Sequence, residues 1–130
     1  MRRIVICDDE PHVLEGLRYL LKTPDRRIEV AATGKEGLER VMAEVPDLLI
    51  TDVMMPEMSG LELVAKLREE EATKNLPIII VTAKGEAQDA TLAQEVWGAV
   101  VIAKPFEPRM VRRLVAQILA SEACPQHESI

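Results

Sequence analysis

At 130 residues, nearly half of them apolar, the chain is long enough to bury one ordinary core. No apolar run approaches a membrane span, the first apolar run meets acid too early for a signal peptide, and a formal charge of −6 argues against a nucleic-acid surface. Cys7 and Cys124 make no disulfide framework, which fits a reducing, cytoplasmic compartment.

In chain order, residues 4–7 are a short apolar run that ends in Asp8-Asp9-Glu10. Pro11 suits the first turn of a helix, and Val13, Leu14, Leu17, Leu20 and Leu21 fall on one helical face until Thr23-Pro24-Asp25 stops it. Residues 28–32 alternate in polarity and predict a strand at a sheet edge. Thr33 can cap a helix reaching about residue 44, with Leu38, Val41 and Met42 on its apolar side. Residues 48–52, Leu-Leu-Ile-Thr-Asp, predict a strand buried on both faces, with Asp52 at its solvent-facing tip. After Pro56, Ser59-x-x-Glu62 is a capping box ahead of Leu63, Val64 and Leu67.

Residues 78–82 are the least ambiguous strand, four β-branched residues and then Thr82. Residues 83–97 are more polar and predict a helix with a poor apolar face. Residues 100–103 predict a fifth strand, ending at Lys104-Pro105-Phe106. A last helix over residues 108–120 would bury Val111, Leu114, Val115 and Ile118, and residues 121–130 read as a loose tail.

Strand and helix thus alternate throughout, which implies right-handed crossovers and a parallel sheet covered on both faces. Five strands suit the α/β flavodoxin-like order 2-1-3-4-5, a three-layer fold whose switch point lies between strands 1 and 3. Asp8 and Asp9 end strand 1, Asp52 ends strand 3, Thr82 ends strand 4 and Lys104 ends strand 5. Three carboxylates at one switch point repel unless something neutralises them. A hard divalent cation suits such oxygen ligands, and Lys104 can pair with a carboxylate or an incoming anion. The constellation describes a metal-assisted phosphoryl site with Asp52 as a possible nucleophile; the competing account is a solvated acidic rim with a structural lysine.

From about Arg3 to Ala120 the chain resembles the receiver domain of bacterial two-component response regulators, of the chemotaxis-regulator type. The resemblance rests on Asp8-Asp9, on Asp52 followed by Met55-Pro56-x-x-x-Gly60, on Thr82-Ala83 and on Lys104-Pro105-Phe106. The spacings are 43 residues from Asp9 to Asp52, 30 on to Thr82 and 22 on to Lys104. The resemblance implies that Asp52 accepts a phosphoryl group from the phosphohistidine of a sensor histidine kinase or phosphotransfer protein. It implies Mg²⁺, with Mn²⁺ as a substitute, held by Asp9, Asp52 and the Met54 backbone carbonyl, with Asp8 acting through water. Thr82 would hydrogen-bond a phosphoryl oxygen, Lys104 would pair with the phosphate, and the bond before Pro105 would be cis. A downstream effector protein or domain would read the result, and the last helices could support a dimer. No direct nucleic-acid binding or membrane insertion is expected of this domain.

The sequence departs from the family at Val101, where an aromatic residue is usual, and at Gly98-Ala99, which stand one residue nearer Lys104 than usual and leave Trp97 where glycine is commoner. Output is therefore expected to run through residues 83–97 rather than through a swinging ring. His12 and His127 read as surface groups, Met54, Met55 and Met58 as loop packing, and Arg109, Arg112 and Arg113 as a charged face open to partner contact. A flavin carrier would need a phosphate-cradling loop where Asp8-Asp9-Glu10 stands, and an aspartyl phosphatase of the haloacid-dehalogenase type spaces its two acids differently. A degenerate receiver, acting as a phosphate-independent scaffold, is the remaining alternative. Residues 1–120 are expected to be the receiver and 121–130 a tail, either standing alone or as a fragment of a longer protein.

Overall fold

The computed structural model describes residues 1–82 and 98–122. The helix expected over residues 83–97, Ala83 beside Thr82, and most of the expected tail lie outside the described residues. The elements are β1 (Arg2–Cys7), α1 (Pro11–Leu21), β2 (Arg26–Ala31), α2 (Gly34–Ala43), β3 (Leu48–Asp52), α3 (Gly60–Glu69), β4 (Ile78–Thr82), β5 (Val100–Ala103) and α4 (Pro108–Glu122). All strand pairs are parallel, in the order β2-β1-β3-β4-β5.

Side chains alternate across the sheet and build two cores. Ile4, Ile6, Leu48, Ile50, Ile79, Val81 and Ile102 face Leu14, Leu17 and Leu21 of α1 and Val111, Val115 and Leu119 of α4. Val5, Cys7, Leu49, Ile78 and Ile80 face Val41 of α2 and Leu63, Val64 and Leu67 of α3. A sheet buried on both sides explains why β3 and β4 read as continuous apolar runs.

The helix starts follow the sequence. Thr33 Oγ1 accepts from the Glu36 amide at the head of α2. At α3, Ser59 Oγ accepts from the Glu62 amide while the Glu62 carboxylate accepts from the Ser59 amide. The strands β1 and β2 start earlier than apolarity suggests, at Arg2 and Arg26. The reason is pairing. Arg3, only 6% exposed, donates to both carboxylate oxygens of Glu29 at 2.8 and 2.9 Å, and to the backbone carbonyls of Arg40 and Glu44. Its charge is satisfied within the sheet edge, so a polar residue can open a strand there. The last helix runs to Glu122, two residues past the expected end.

Candidate functional site

The alternation that builds the cores also aims the site. Asp8 continues the series of Ile4 and Ile6, Asp52 that of Leu48 and Ile50, and Lys104 that of Ile102, so all three project from the α1/α4 side of the sheet. Lys104 Nζ stands 3.4 Å from Asp8 Oδ2, 3.5 Å from Asp52 Oδ2 and 3.8 Å from Glu10 Oε1. Thr82 follows Ile78 and Ile80 and so belongs to the opposite series. It is buried, and its backbone carbonyl accepts from the Lys104 amide at 2.8 Å.

Asp8, Asp9, Glu10 and Asp52 each offer a carboxylate oxygen, and these oxygens lie within 4.8 Å of one another. The sequence points to Asp8, Asp9 and Asp52 as cation ligands, and the structure adds Glu10 as a fourth carboxylate beside them. Its signal was there: it extends the Asp8-Asp9 pair on the same loop. The Glu10 amide donates to Asp8 Oδ1 at 2.9 Å, which bends the loop so that the acids converge. The four sites are all hard oxygen donors, the chemistry a divalent cation such as Mg²⁺ prefers.

Asp52 is not solvent-facing as expected; it is 6% exposed. The Val53 amide donates to Asp52 Oδ1 at 2.8 Å, and the Gly60 amide, donating to the Val53 carbonyl at 2.8 Å, ties the start of α3 back to the strand end. Asp8 is more deeply buried still, and that burial raises its pKa against the opposing pull of the Glu10 amide and Lys104. For Lys104, burial disfavours the ammonium, but the charges of Asp8, Asp52 and Glu10 outweigh it and its pKa is raised. The site is therefore a set of acids whose mutual repulsion is partly relieved by one fixed cation.

Met54 is 63% exposed, so packing accounts for Met55 and Met58, which lie against the α2/α3-side core, and not for Met54. Val101 also packs partly buried against that core. The Lys104–Pro105 peptide bond is cis. His12 is exposed, 3.5 Å from Glu10. Cys7 is buried, and that burial pushes its thiol up to about 12, which disfavours the thiolate.

A doubly covered parallel sheet with an acidic cluster and one lysine at its switch point is the architecture of a receiver. Residues 4–122 match the family model described as the response regulator receiver domain. The chain belongs to that family. It is 35% identical to the alkaline phosphatase synthesis transcriptional regulatory protein PhoP of Bacillus subtilis over 91% of this chain and 48% of that protein. It is 33% identical to the phosphate regulon transcriptional regulatory protein PhoB of Rhizobium meliloti over 89% of this chain and 52% of that protein. The chain thus spans about half the length of these curated relatives. Among solved structures, a putative response regulator from Chloroflexus aurantiacus superimposes with a TM-score of 0.82 at 37% identity, covering 92% of this chain and 98% of that one. A CheY-like receiver domain protein from Methanospirillum hungatei gives 0.84 at 27% identity, covering 95% and 97%. Histidine kinases are the partners of two-component response regulators, and among the described residues no helix is long and apolar enough to cross a membrane.

Proposed function

We propose that this receiver takes a phosphoryl group onto Asp52 in a Mg²⁺-dependent reaction and relays a conformational signal to a partner. The observation that carries the reading is Lys104 Nζ within 3.5 Å of both Asp8 and Asp52 at the rim of the four-carboxylate cluster. Asp9, Asp52 and the Met54 carbonyl would hold the cation, with Asp8 acting through water and Glu10 beside it. When bound, the cation supplies charge neutralisation for the phosphoryl oxygens.

This chain's own residues do the rest. An Asp52 carboxylate oxygen attacks phosphorus, the P–N bond to the donor histidine breaks, and the departing imidazole keeps the electron pair and takes up a proton. Lys104 pairs with a phosphoryl oxygen, and the Thr82 hydroxyl donates to another. Transfer of this kind requires mainly positioning and electrostatic stabilisation, which a buried acid and a fixed lysine provide. The donor would be a sensor histidine kinase or phosphotransfer protein, the reader a downstream effector, and the compartment the cytoplasm. Self-association would use the last helix. Residues 1–120 form the phosphoacceptor unit in this reading, which acts on its own phosphate and not on outside substrates.

Incubation with acetyl phosphate, followed by intact-protein mass spectrometry, tests the reading. One phosphoryl group is expected with Mg²⁺, and none with EDTA or in Asp52→Asn. Equal labelling in EDTA, or a labelled Asp52→Asn protein, would refute the site. No labelling at all would favour the phosphate-independent scaffold.

A further inference from the structure

Parallel pairing commits the backbone groups of every second residue to one neighbour, and in β2 that alternation leaves a set facing out of the sheet. The Asp25 carbonyl accepts from the Arg2 amide at 2.9 Å, and the Ala31 carbonyl from the Asp8 amide at 3.1 Å. The odd-numbered residues of β2 therefore turn their backbone toward β1, while Arg26, Ile28 and Val30 turn theirs outward. Among the described residues no strand pairs with β2 on that side. The Arg26 amide is used by the preceding turn, where it donates to the Thr23 carbonyl at 3.2 Å. The Ile28 and Val30 amides and the Arg26 and Ile28 carbonyls face outward without a backbone partner among the described residues.

The side chains of this edge match a copy of itself. Ile28 and Val30 lie on the α1/α4 side and are only partly buried, whereas the apolar residues of β1, β3 and β4 are buried. Arg27 and Glu29 lie on the other side, opposite in charge and two residues apart. Arg3 and Arg40 hold the Glu29 carboxylate in place. Arg27 is exposed, 3.2 Å from Glu29 and 2.6 Å from Glu44. Two copies set antiparallel about a dyad through Ile28 would satisfy the outward groups. The Ile28 amide would donate to the Ile28 carbonyl of the second copy, and the Val30 amide to its Arg26 carbonyl, each bond being reciprocated. Arg27 then stands directly opposite Glu29 of the second copy, and Ile28 opposite Ile28. Moving the dyad to Arg27 or to Glu29 would set like charges face to face, so charge selects one register.

We propose that the free edge of β2 docks a second copy of this chain, antiparallel about a dyad at Ile28, so that the two sheets become one. Charged side chains usually guard an edge strand against intruders. Here the two charges guard against the neighbouring registers and attract a copy in the remaining one. A two-fold contact must be self-complementary, and both the backbone groups and the charges of this edge meet that condition. An unrelated strand would share the backbone bonds but has no reason to carry the same charge pair. The edge is separated from β3 by β1, and none of its residues belongs to the acidic cluster. The proposal therefore stands or falls apart from the phosphoryl chemistry, and it uses a surface other than the last helix.

The test uses the full chain labelled with ¹⁵N, in sedimentation velocity and in amide hydrogen exchange over a range of protein concentrations. A dimer is expected to fill as concentration rises, and exchange at the Ile28 and Val30 amides to slow several-fold with it. Arg27→Gln, which removes the attraction, should dimerise more weakly than the parent. Arg27→Glu, which sets acids face to face across the dyad, should not dimerise. Thermal melts of both variants check that the monomer is intact, and exchange in the unaltered chain decides the proposal whatever their stability. A monomer at every concentration would overturn it, as would Ile28 and Val30 amides whose exchange ignores concentration. A dimer whose protection is confined to residues 108–122 would assign self-association to the last helix and overturn it as well. Equal association of Arg27→Glu and the parent would exclude the register.

Discussion

Gly60 lies so close to Asp52 that a Cβ on the glycine would overlap the Asp52 carbonyl oxygen and sit 3.1 Å from Thr51 Oγ1. The helix that follows the loop after β3 therefore starts hard against the backbone of the residue proposed to carry the phosphate. Only a residue without a side chain permits that approach.

Gly60→Ala is accordingly expected to destabilise the protein by about 1–3 kcal/mol through overpacking, and to reduce labelling of Asp52. Gly16, exposed in the middle of α1 with nothing near its missing Cβ, is the control. Gly16→Ala should stabilise by about 0.5–1 kcal/mol. Urea denaturation of both variants checks the pair; a Gly60→Ala protein as stable as its parent would contradict the close approach.

Among the described residues, Lys104 is the cation that pairs with the Asp8 and Asp52 carboxylates. Lys104→Ala should therefore slow phosphoryl uptake by about 10²-fold, the usual cost of removing one well-placed charge donor. Far-UV circular dichroism should stay unchanged. Initial rates of labelling from acetyl phosphate at saturating Mg²⁺ measure the effect, and a rate within a factor of two or so of wild type would exclude this role.

The Arg3–Glu29 pair makes stability depend on pH. The hydrogen bond from Arg3 lowers the Glu29 pKa, burial opposes it, and the charges of Arg3, Arg27 and Arg40 add to the lowering. A depressed carboxyl pKa contributes stability above the ordinary glutamate range and loses it as pH falls through the folded value. Glu29→Gln should therefore be about 1–3 kcal/mol less stable near pH 7, and the gap to wild type should close as pH falls below the carboxylate range. Thermal or urea melts across that range measure it. A gap that widened on acidification would reverse the assigned sign.

Met54 bears on the lifetime of the phosphorylated form. Its exposed thioether chain, two residues past Asp52, has no carboxylate or amide to orient an attacking water, and is expected to add apolar cover once Asp52 carries a phosphoryl group. The acyl phosphate should persist for minutes, and Met54→Asn should shorten its life several-fold. Loss of label followed by mass spectrometry measures both, and equal decay of the two proteins would show that this position does not control water.

The order of elements was legible in the sequence, because each depends on contacts close along the chain. The apolar runs of β3 and β4, the Thr33 cap and the Ser59–Glu62 capping box are local devices, and the structure places them as read. The residues at the strand ends were legible for the same reason. That Asp8, Asp52 and Lys104 meet on one side of the sheet was decided by register: β1 pairs with β3, β3 with β4 and β4 with β5, and the parity of each pairing carries all three to one face. Only the tertiary structure buries Asp52, which stands at the end of a central strand beside Asp8 and Lys104. Glu10 joins the cluster through a bend that the Asp8 side chain makes, and Arg3 enters a strand because Glu29, far along the chain, satisfies it. The Arg109, Arg112 and Arg113 face of α4 was legible in the sequence, but that it stands across a cleft from Lys22 and Arg26, some ninety residues away in sequence, is decided by packing.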